Sequence, residues 1–108
     1  MKEIKAVIQP NRLSRLRHAL RRMKGFPGMT VVQANGCSAE EQAGAEPDLF
    51  CELTEFSNKV RVEIVAAEEQ VEEIMKIIYD AGHSGHKGDG VIWVTDVGAF
   101  RRLRHKYE

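Results

Sequence analysis

The stretch at residues 59–65, KVRVEIV, decides the fold of this chain. Three aliphatic residues, Val60, Val62 and Ile64, alternate with charged ones, which predicts a strand with one face in a core and one face outside it. A strand of this kind belongs to a sheet that is covered on one side only. Only one face of this strand is therefore expected to contact a core.

Two strands and a helix are predicted before this stretch. Residues 4–8 alternate up to Pro10, and residues 29–34 are rich in β-branched side chains, so both predict strands. Between them, Asn11 is a good helix N-cap and Gly25 a good helix end. The apolar stripe of that helix consists of Leu13, Leu16, Leu20 and Met23.

A second helix and a last strand are predicted after it. Glu68 and Glu69 favour a helix start, and Gly82 marks its end. The buried stripe of this helix consists of Val71, Ile74, Met75 and Ile78. Residues 91–94 form the final strand. The order predicts a ferredoxin-like βαββαβ sandwich, a four-stranded antiparallel sheet with two helices on one face.

Length and charge limit the function classes. A chain of 108 residues fits a single domain spanning 1–108, and its 16 basic and 16 acidic residues cancel, so no global charge draws it to nucleic acid. The charge is segregated, because residues 40–55 carry six acids and no base. The first helix carries basic residues without interleaved aromatic residues, so it predicts a solvated face and no nucleic-acid partner. These residues are Arg12, Arg15, Arg17, Arg21 and Arg22.

The hydropathy and the cysteines indicate the compartment. No apolar stretch approaches the ~18 residues that cross a bilayer, and the mixed, basic start lacks the apolar core of a secretion signal. A cytoplasmic protein that does not span the membrane is expected. Cys37 and Cys51 are expected to be reduced thiols, with a regulatory disulfide or a Zn or Cu site as the alternative.

Residues 35–58 form a long segment without helical or strand periodicity. Loops of this length in a small domain are usually functional or disordered. Four apolar residues could dock on a partner: Leu49, Phe50, Leu53 and Phe56. The segment predicts a partner-binding loop, and the alternative is a flexible insertion without a role.

Residues 84–90, SGHKGDG, lie between the second helix and the last strand. Their three glycines allow consecutive amides to point the same way, which forms a nest for phosphate oxygens, and His86 and Lys87 add positive charge nearby. No Gly-Lys-Ser/Thr follows, so ordinary P-loop hydrolysis is not indicated. The alternative is a turn that serves geometry alone.

The basic tail adds a second candidate phosphate contact. If it is extended, Arg102 and Arg104 project on the same side, with Leu103 opposite, and their guanidinium groups could close on one polyphosphate. The alternative is a disordered basic tail.

Over nearly its whole length the chain resembles the PII signal protein family. The matching stretches are residues 1–10, 28–31, 59–65 and 84–94, of which the last is the most specific. The resemblance makes 84–90 the B-loop, 35–58 the T-loop and 98–108 the C-loop with its tail. It implies a homotrimer of ferredoxin-like subunits that binds ATP or ADP between subunits, with AMP as a further candidate and Mg²⁺ left open.

The resemblance also implies roles for particular residues. Thr30 and Val65 match adenine contacts, and Lys59 matches a lysine that helps bind 2-oxoglutarate in many members. Other residues match family positions that line the nucleotide cleft or contact the phosphates: Gly28, Met29, Lys87, Gly88, Asp89, Gly90, Arg102 and Arg104. The implied function is regulation of a target protein, for example a membrane transporter, through residues 35–58.

The chain departs from the family pattern in three places. Its T-loop begins Gly-Cys-Ser-Ala-Glu at Gly36 instead of Gly-Phe-Gly-Arg-Gln, so a glutamine that helps bind magnesium and 2-oxoglutarate is missing. No tyrosine lies between Asn35 and Asn58 to accept a uridylyl group, and Val91 replaces a lysine. Losing one charge-assisted contact costs about 1 to 3 kcal/mol, so weaker triphosphate binding or a preference for ADP or AMP is expected.

Two other function classes remain as alternatives. A metal-responsive protein on the same fold would use Cys37 and Cys51 as ligands. A slow ATPase would use Asp89 to position water. The sequence shows no paired carboxylates and no Ser-His-Asp set, so no catalytic residues are assigned and an enzyme is not expected.

Overall fold

The computed structural model describes residues 1–37 and 57–107. In these residues the chain forms strands β1 (Lys2–Ile8), β2 (Thr30–Gly36), β3 (Ser57–Ala66) and β4 (Gly90–Asp96), and helices α1 (Leu13–Arg21) and α2 (Val71–Gly82). The strands form one antiparallel sheet in the order β2-β3-β1-β4. The ferredoxin-like α+β fold predicted from the sequence is therefore confirmed.

The core lies between the two helices and one face of the sheet. Ile4 of β1 pairs with Ile64 of β3, and both side chains are buried against the helices. The helices contribute four fully buried side chains to this core: Leu16, Leu20, Ile74 and Ile78. Each such side chain stabilises the fold by about 2 kcal/mol through removal of apolar surface from water.

The helix starts differ from the prediction. Asn11 lies inside a 3-10 turn, Pro10–Arg12, and makes no capping hydrogen bond, so the predicted N-cap is wrong. A second 3-10 turn, Glu68–Gln70, precedes α2. The Gln70 side chain caps it by accepting a hydrogen bond from the amide of Ala67 at 3.1 Å. Proline at the start of the first turn explains the difference, because its fixed φ begins a helical turn without a side-chain cap.

The helix ends and strand bounds agree within a few residues. The first helix ends at Arg21, before the predicted Met23, although Met23 is still buried. Gly25 follows with φ of 74°, as expected of a residue just past a helix. No helix in residues 1–37 and 57–107 is long and apolar enough to cross a membrane.

The second face of the sheet carries no helix from residues 1–37 or 57–107. It presents Lys5, Arg61 and Glu63 together with the large apolar side chains of Val91 and Trp93. Val91 is 59% exposed and Trp93 is 39% exposed. We call this surface the open face of the sheet.

Candidate functional site

The turn at residues 84–90 is organised by the carboxylate of Asp89. This carboxylate accepts hydrogen bonds from the amides of Ser84 at 2.7 Å and Gly85 at 2.9 Å, and from the Ser84 hydroxyl. The ring of His83 lies near it, with 3.8 Å between Nδ1 and the carboxylate oxygen. The Asp89 side chain is only 23% exposed. Asp89 therefore fixes the shape of the turn from inside.

These contacts lower the pKa of Asp89. The hydrogen bond from the Ser84 hydroxyl has the largest effect and that from the Ser84 amide the next. With smaller contributions from the Gly85 amide and His83, they lower the pKa from 3.8 to about 2. A carboxylate that stays ionised at every physiological pH keeps its hydrogen bonds. The turn consequently has a permanent internal anchor.

This pKa makes acid stability a test of the anchor. Because the folded pKa lies below the ordinary value, the contribution of Asp89 to stability is complete above about pH 4 and is lost as the pH falls through about 2. We expect Asp89→Asn to flatten the pH dependence of stability in that window, measured by circular dichroism during denaturant titrations. Asp80→Asn is the matched control, since Asp80 is exposed on α2 and its one ion pair among the described residues is with Lys76. An unchanged slope in Asp89→Asn would contradict the assignment.

The carbonyl of Gly88 anchors the same turn to the sheet. It accepts one hydrogen bond from Nε2 of Gln9 at 2.6 Å and another from Nζ of Lys59 at 2.9 Å. Lys59 is only 7% exposed, so its ammonium group reaches the carbonyl inside the protein. A hydrogen bond from a charged donor is stronger than a neutral one. The turn is therefore also attached to the residue after β1, through Gln9, and to β3, through Lys59.

The end of the turn requires glycine at position 90. Gly90 has φ of 116°, and a Cβ atom there would lie 1.8 Å from the carbonyl oxygen of Val7. Gly90 pairs with Ile8 at the start of β4, so the close approach sets the position of the turn relative to β1. Only glycine satisfies both the backbone angle and the contact.

The anchored turn leaves two backbone donors without hydrogen-bond partners among the described residues. In the part of the chain that the structure describes, the amides of Lys87 and Gly88 donate no hydrogen bond. The side chain of Lys87 is exposed beside them. Adjacent amides without partners and a nearby ammonium group form a suitable environment for an anion.

A second group of predicted site residues lies at the segment that leads into β2. Gly28 has φ of 108°, and Nη2 of Arg102 donates to the carbonyl of Pro27 at 3.1 Å. The Arg102 guanidinium also lies over the ring of Phe100, 5.3 Å from its centre. The sequence thus predicted Gly28 and Arg102 as site residues, and the structure brings them close together.

The same end of the sheet holds the predicted adenine contacts. Thr30 pairs with Glu63, and Val65 lies two residues further along β3 on the same face. Met29 directly precedes Thr30 and is partly buried against the core. The residues predicted for the adenine therefore share one end of the sheet with Arg102.

The two groups are far apart within one chain. Gly90 and Val60 both pair with Ile8, whereas Val65 lies five residues away along β3. At 3.3 Å per residue this separation is about 17 Å. A cleft lined by both the turn and the Arg102 end must therefore take them from different copies of the chain.

The basic tail is not the extended segment that was predicted. The amide of His105 donates to the carbonyl of Arg102 at 3.1 Å, which closes a turn, and Leu103 is fully exposed. Arg104 lies in this turn and is exposed. The extended arrangement that would place Arg102 and Arg104 on one side is therefore absent here, and no strand pairs with the tail backbone in the described residues.

The cysteine and histidine predictions have different outcomes. Cys37 is disulfide-bonded, so the expectation of a reduced thiol there is wrong. Residues 38–56 of the predicted T-loop, which include Cys51, lie outside the described residues. No cluster of His, Cys, Asp or Glu suited to a metal ion occurs in residues 1–37 and 57–107.

Sequence reasoning did not assign three residues that shape the site. Gln9 holds the Gly88 carbonyl, Ser84 holds Asp89, and Phe100 stacks against Arg102. Ser84 had a signal in the sequence, because it begins the glycine-rich turn. The roles of Gln9 and Phe100 depend on contacts between distant parts of the chain, which no local pattern shows.

Fold and site together define a small α+β protein with an anchored glycine turn at one end of its sheet. The family model described as "Nitrogen regulatory protein P-II" matches residues 1–107. The chain is 35% identical to the nitrogen regulatory protein P-II of Rhizobium meliloti and to that of Azospirillum brasilense. Both alignments cover 96% of this chain and 92% of the relative.

A third relative with the same description has a similar degree of identity. The nitrogen regulatory protein P-II of Cyanidium caldarium is 34% identical over 94% of this chain and 89% of its own length. The chain belongs to the nitrogen regulatory protein P-II family. It is therefore a signal-transduction regulator and not an enzyme.

Proposed function

We propose that this protein binds an adenine nucleotide in clefts between the copies of a homotrimer and regulates a target protein accordingly. The observation that carries the proposal is the anchored turn, in which the amides of Lys87 and Gly88 have no partner among the described residues and the Lys87 side chain is exposed. The family adds support, since its members bind adenine nucleotides and form trimers.

The proposed cleft combines the two ends of the sheet. Phosphates bind at the turn of one copy, to the amides around Gly88 and to Lys87. Arg102 and Arg104 reach them from the adjacent copy, where Gly28, Met29, Thr30 and Val65 line the adenine pocket. Asp89 acts in this arrangement as the organiser of the turn, because its carboxylate is occupied by Ser84 and Gly85 and a second anion would be repelled.

The open face of the sheet is the proposed contact between copies. Trp93 and Val91 provide exposed apolar surface there, and such large side chains are enriched at the centres of interfaces. The charged residues of this face are already paired, Arg61 with Glu63 at 3.0 Å and Lys5 with Glu3 at 3.7 Å. Charges that are paired within the chain can approach another copy at a smaller desolvation cost than isolated charges.

The proposed phosphate site has one positive charge fewer than the family pattern. Val91 follows Gly90 and supplies no cation, so ADP or AMP competes better against ATP than it would beside a lysine. A second effector such as 2-oxoglutarate would have to draw Lys59 away from the Gly88 carbonyl. The nucleotide and such an effector would thereby be coupled through one hydrogen bond.

The proposed output is the T-loop at residues 35–58, which would contact the target, for example a membrane transporter. β2 and β3 lead into and out of this loop, and Lys59 lies directly after it. A change at the Gly88 carbonyl would therefore reach the base of the loop through Lys59. A nucleotide shifts the loop only to the extent that it binds one loop conformation better than another.

Isothermal titration calorimetry with ATP, ADP and AMP, each with and without Mg²⁺, tests the proposal. We expect saturable heat with at least one of the three nucleotides. GTP is the control, since guanine carries a carbonyl oxygen at the ring position where adenine carries its amino group, while its triphosphate is the same as that of ATP. The absence of heat with all three adenine nucleotides would refute the proposed function.

A further inference from the structure

The outer surface of the helical layer carries two clusters of opposite charge. Residues 10–25, which include α1, contain no acid, and their exposed cations include Arg21, Arg22 and Lys24. The 3-10 turn before α2 and the first turn of α2 present Glu69, Glu72 and Glu73 to solvent. We call these the basic cluster and the acidic cluster.

The two clusters lie side by side at the same end of the layer. The chain leaving α1 meets the start of α2 directly, because Nε2 of Gln70 donates to the carbonyl of Gly25 at 2.8 Å. Within residues 1–37 and 57–107, no ion pair joins one cluster to the other. Both clusters therefore remain available to a partner.

We propose that these clusters form a self-complementary docking surface for a second copy of this chain. Two helical layers face each other across a two-fold axis that runs parallel to the helices. This symmetry places the basic cluster of each copy over the acidic cluster of the other, so both halves of the contact are attractive. A two-fold axis that crosses the helices at the level of the clusters would instead place each cluster over the same cluster of the other copy. Like charges would then face each other.

The overall charge permits this contact. The formal net charge is zero, so two copies approach without long-range repulsion and the local clusters determine their orientation. The contact uses the helical layer and leaves the open face of the sheet free, so it can join assemblies that are built through that face. It does not depend on whether the protein binds a nucleotide.

The expected association is weak and sensitive to salt. Pairs of exposed charges contribute little individually, and their attraction is largely screened at high ionic strength. Sedimentation velocity at about 20 mM and about 500 mM NaCl should show a larger species only at the lower salt concentration. Identical profiles at the two concentrations would overturn the proposal.

Charge reversal gives the decisive test. We expect R21E/R22E alone and E72K/E73K alone to lose the larger species. In each variant the reversed cluster of one copy would face the unchanged cluster of the other copy, and both would have the same sign of charge. An equimolar mixture of the two variants should regain it, because the reversed clusters attract each other and so do the unchanged ones. The matched control is R101E/K106E, which makes the same charge change as R21E/R22E in the tail and should associate as the wild type does.

Each alternative outcome has a definite meaning. If R21E/R22E lost the larger species and E72K/E73K kept it, the basic cluster would bind something other than the acidic cluster. This outcome would refute the proposal. Failure of the mixture to recover would also refute it, provided that the circular dichroism of both variants matches that of the wild type.

Discussion

Gly90→Ala is expected to destabilise the protein more than any other single glycine substitution in the described residues. The new Cβ atom would lie 1.8 Å from the Val7 carbonyl oxygen, and φ of 116° is unfavourable for alanine. Strand β4 or β1 must shift to relieve the contact, so we expect a loss of about 4 kcal/mol or more in the free energy of unfolding. Denaturant titration monitored by circular dichroism measures it.

Substitutions at two other glycines distinguish the cost of the backbone angle from the cost of the contact with Val7. Gly28 has φ of 108° but no atom within 4 Å of an added Cβ, so Gly28→Ala isolates the backbone cost, about 1 to 3 kcal/mol. Gly98 has neither feature, and Gly98→Ala should change stability by less than about 0.5 kcal/mol. Equal effects at Gly90 and Gly28 would show that the contact with Val7 does not govern the position of the turn.

A second large effect is expected when the arginines of the tail are removed. Arg102→Ala/Arg104→Ala should weaken nucleotide binding at least about 100-fold, because each lost charge-assisted contact is worth about 1.5 to 3 kcal/mol. Calorimetry with the nucleotide that binds the wild type best provides the measurement. Arg101→Ala/Lys106→Ala removes the same number of tail cations and should bind normally.

Mixed assemblies test whether the arginines act across the interface. Asp89→Ala removes the internal anchor of the turn and should also lose the nucleotide. Co-expression of Asp89→Ala with Arg102→Ala/Arg104→Ala should restore binding in part, since an intact turn from one copy can face intact arginines from another. If no binding returns in mixed assemblies of normal size, the turn and the arginines of a site belong to the same chain.

Most of the fold could be predicted from local patterns. The alternation in residues 59–65 and the stripe from Leu13 to Leu20 reflect the periods of strands and helices, which arise from backbone geometry. Helix starts were less predictable. Asn11 is a good N-cap in general, but Pro10 begins a 3-10 turn before it can act.

The sequence by itself determined the antiparallel α+β fold, the family and the glycine-rich turn, because periodicity, composition and short motifs are properties of neighbouring residues. Only the tertiary structure decided that Asp89 anchors the turn from inside, that Lys59 and Gln9 share the Gly88 carbonyl, and that the turn and Arg102 lie at opposite ends of the sheet. These facts depend on contacts between residues up to 79 positions apart. The contacts of Gln9, Lys59 and Arg102 exist only after the strands have paired, so no local pattern encodes them. The contacts of Asp89 lie within the turn, but they depend on the shape that the turn adopts.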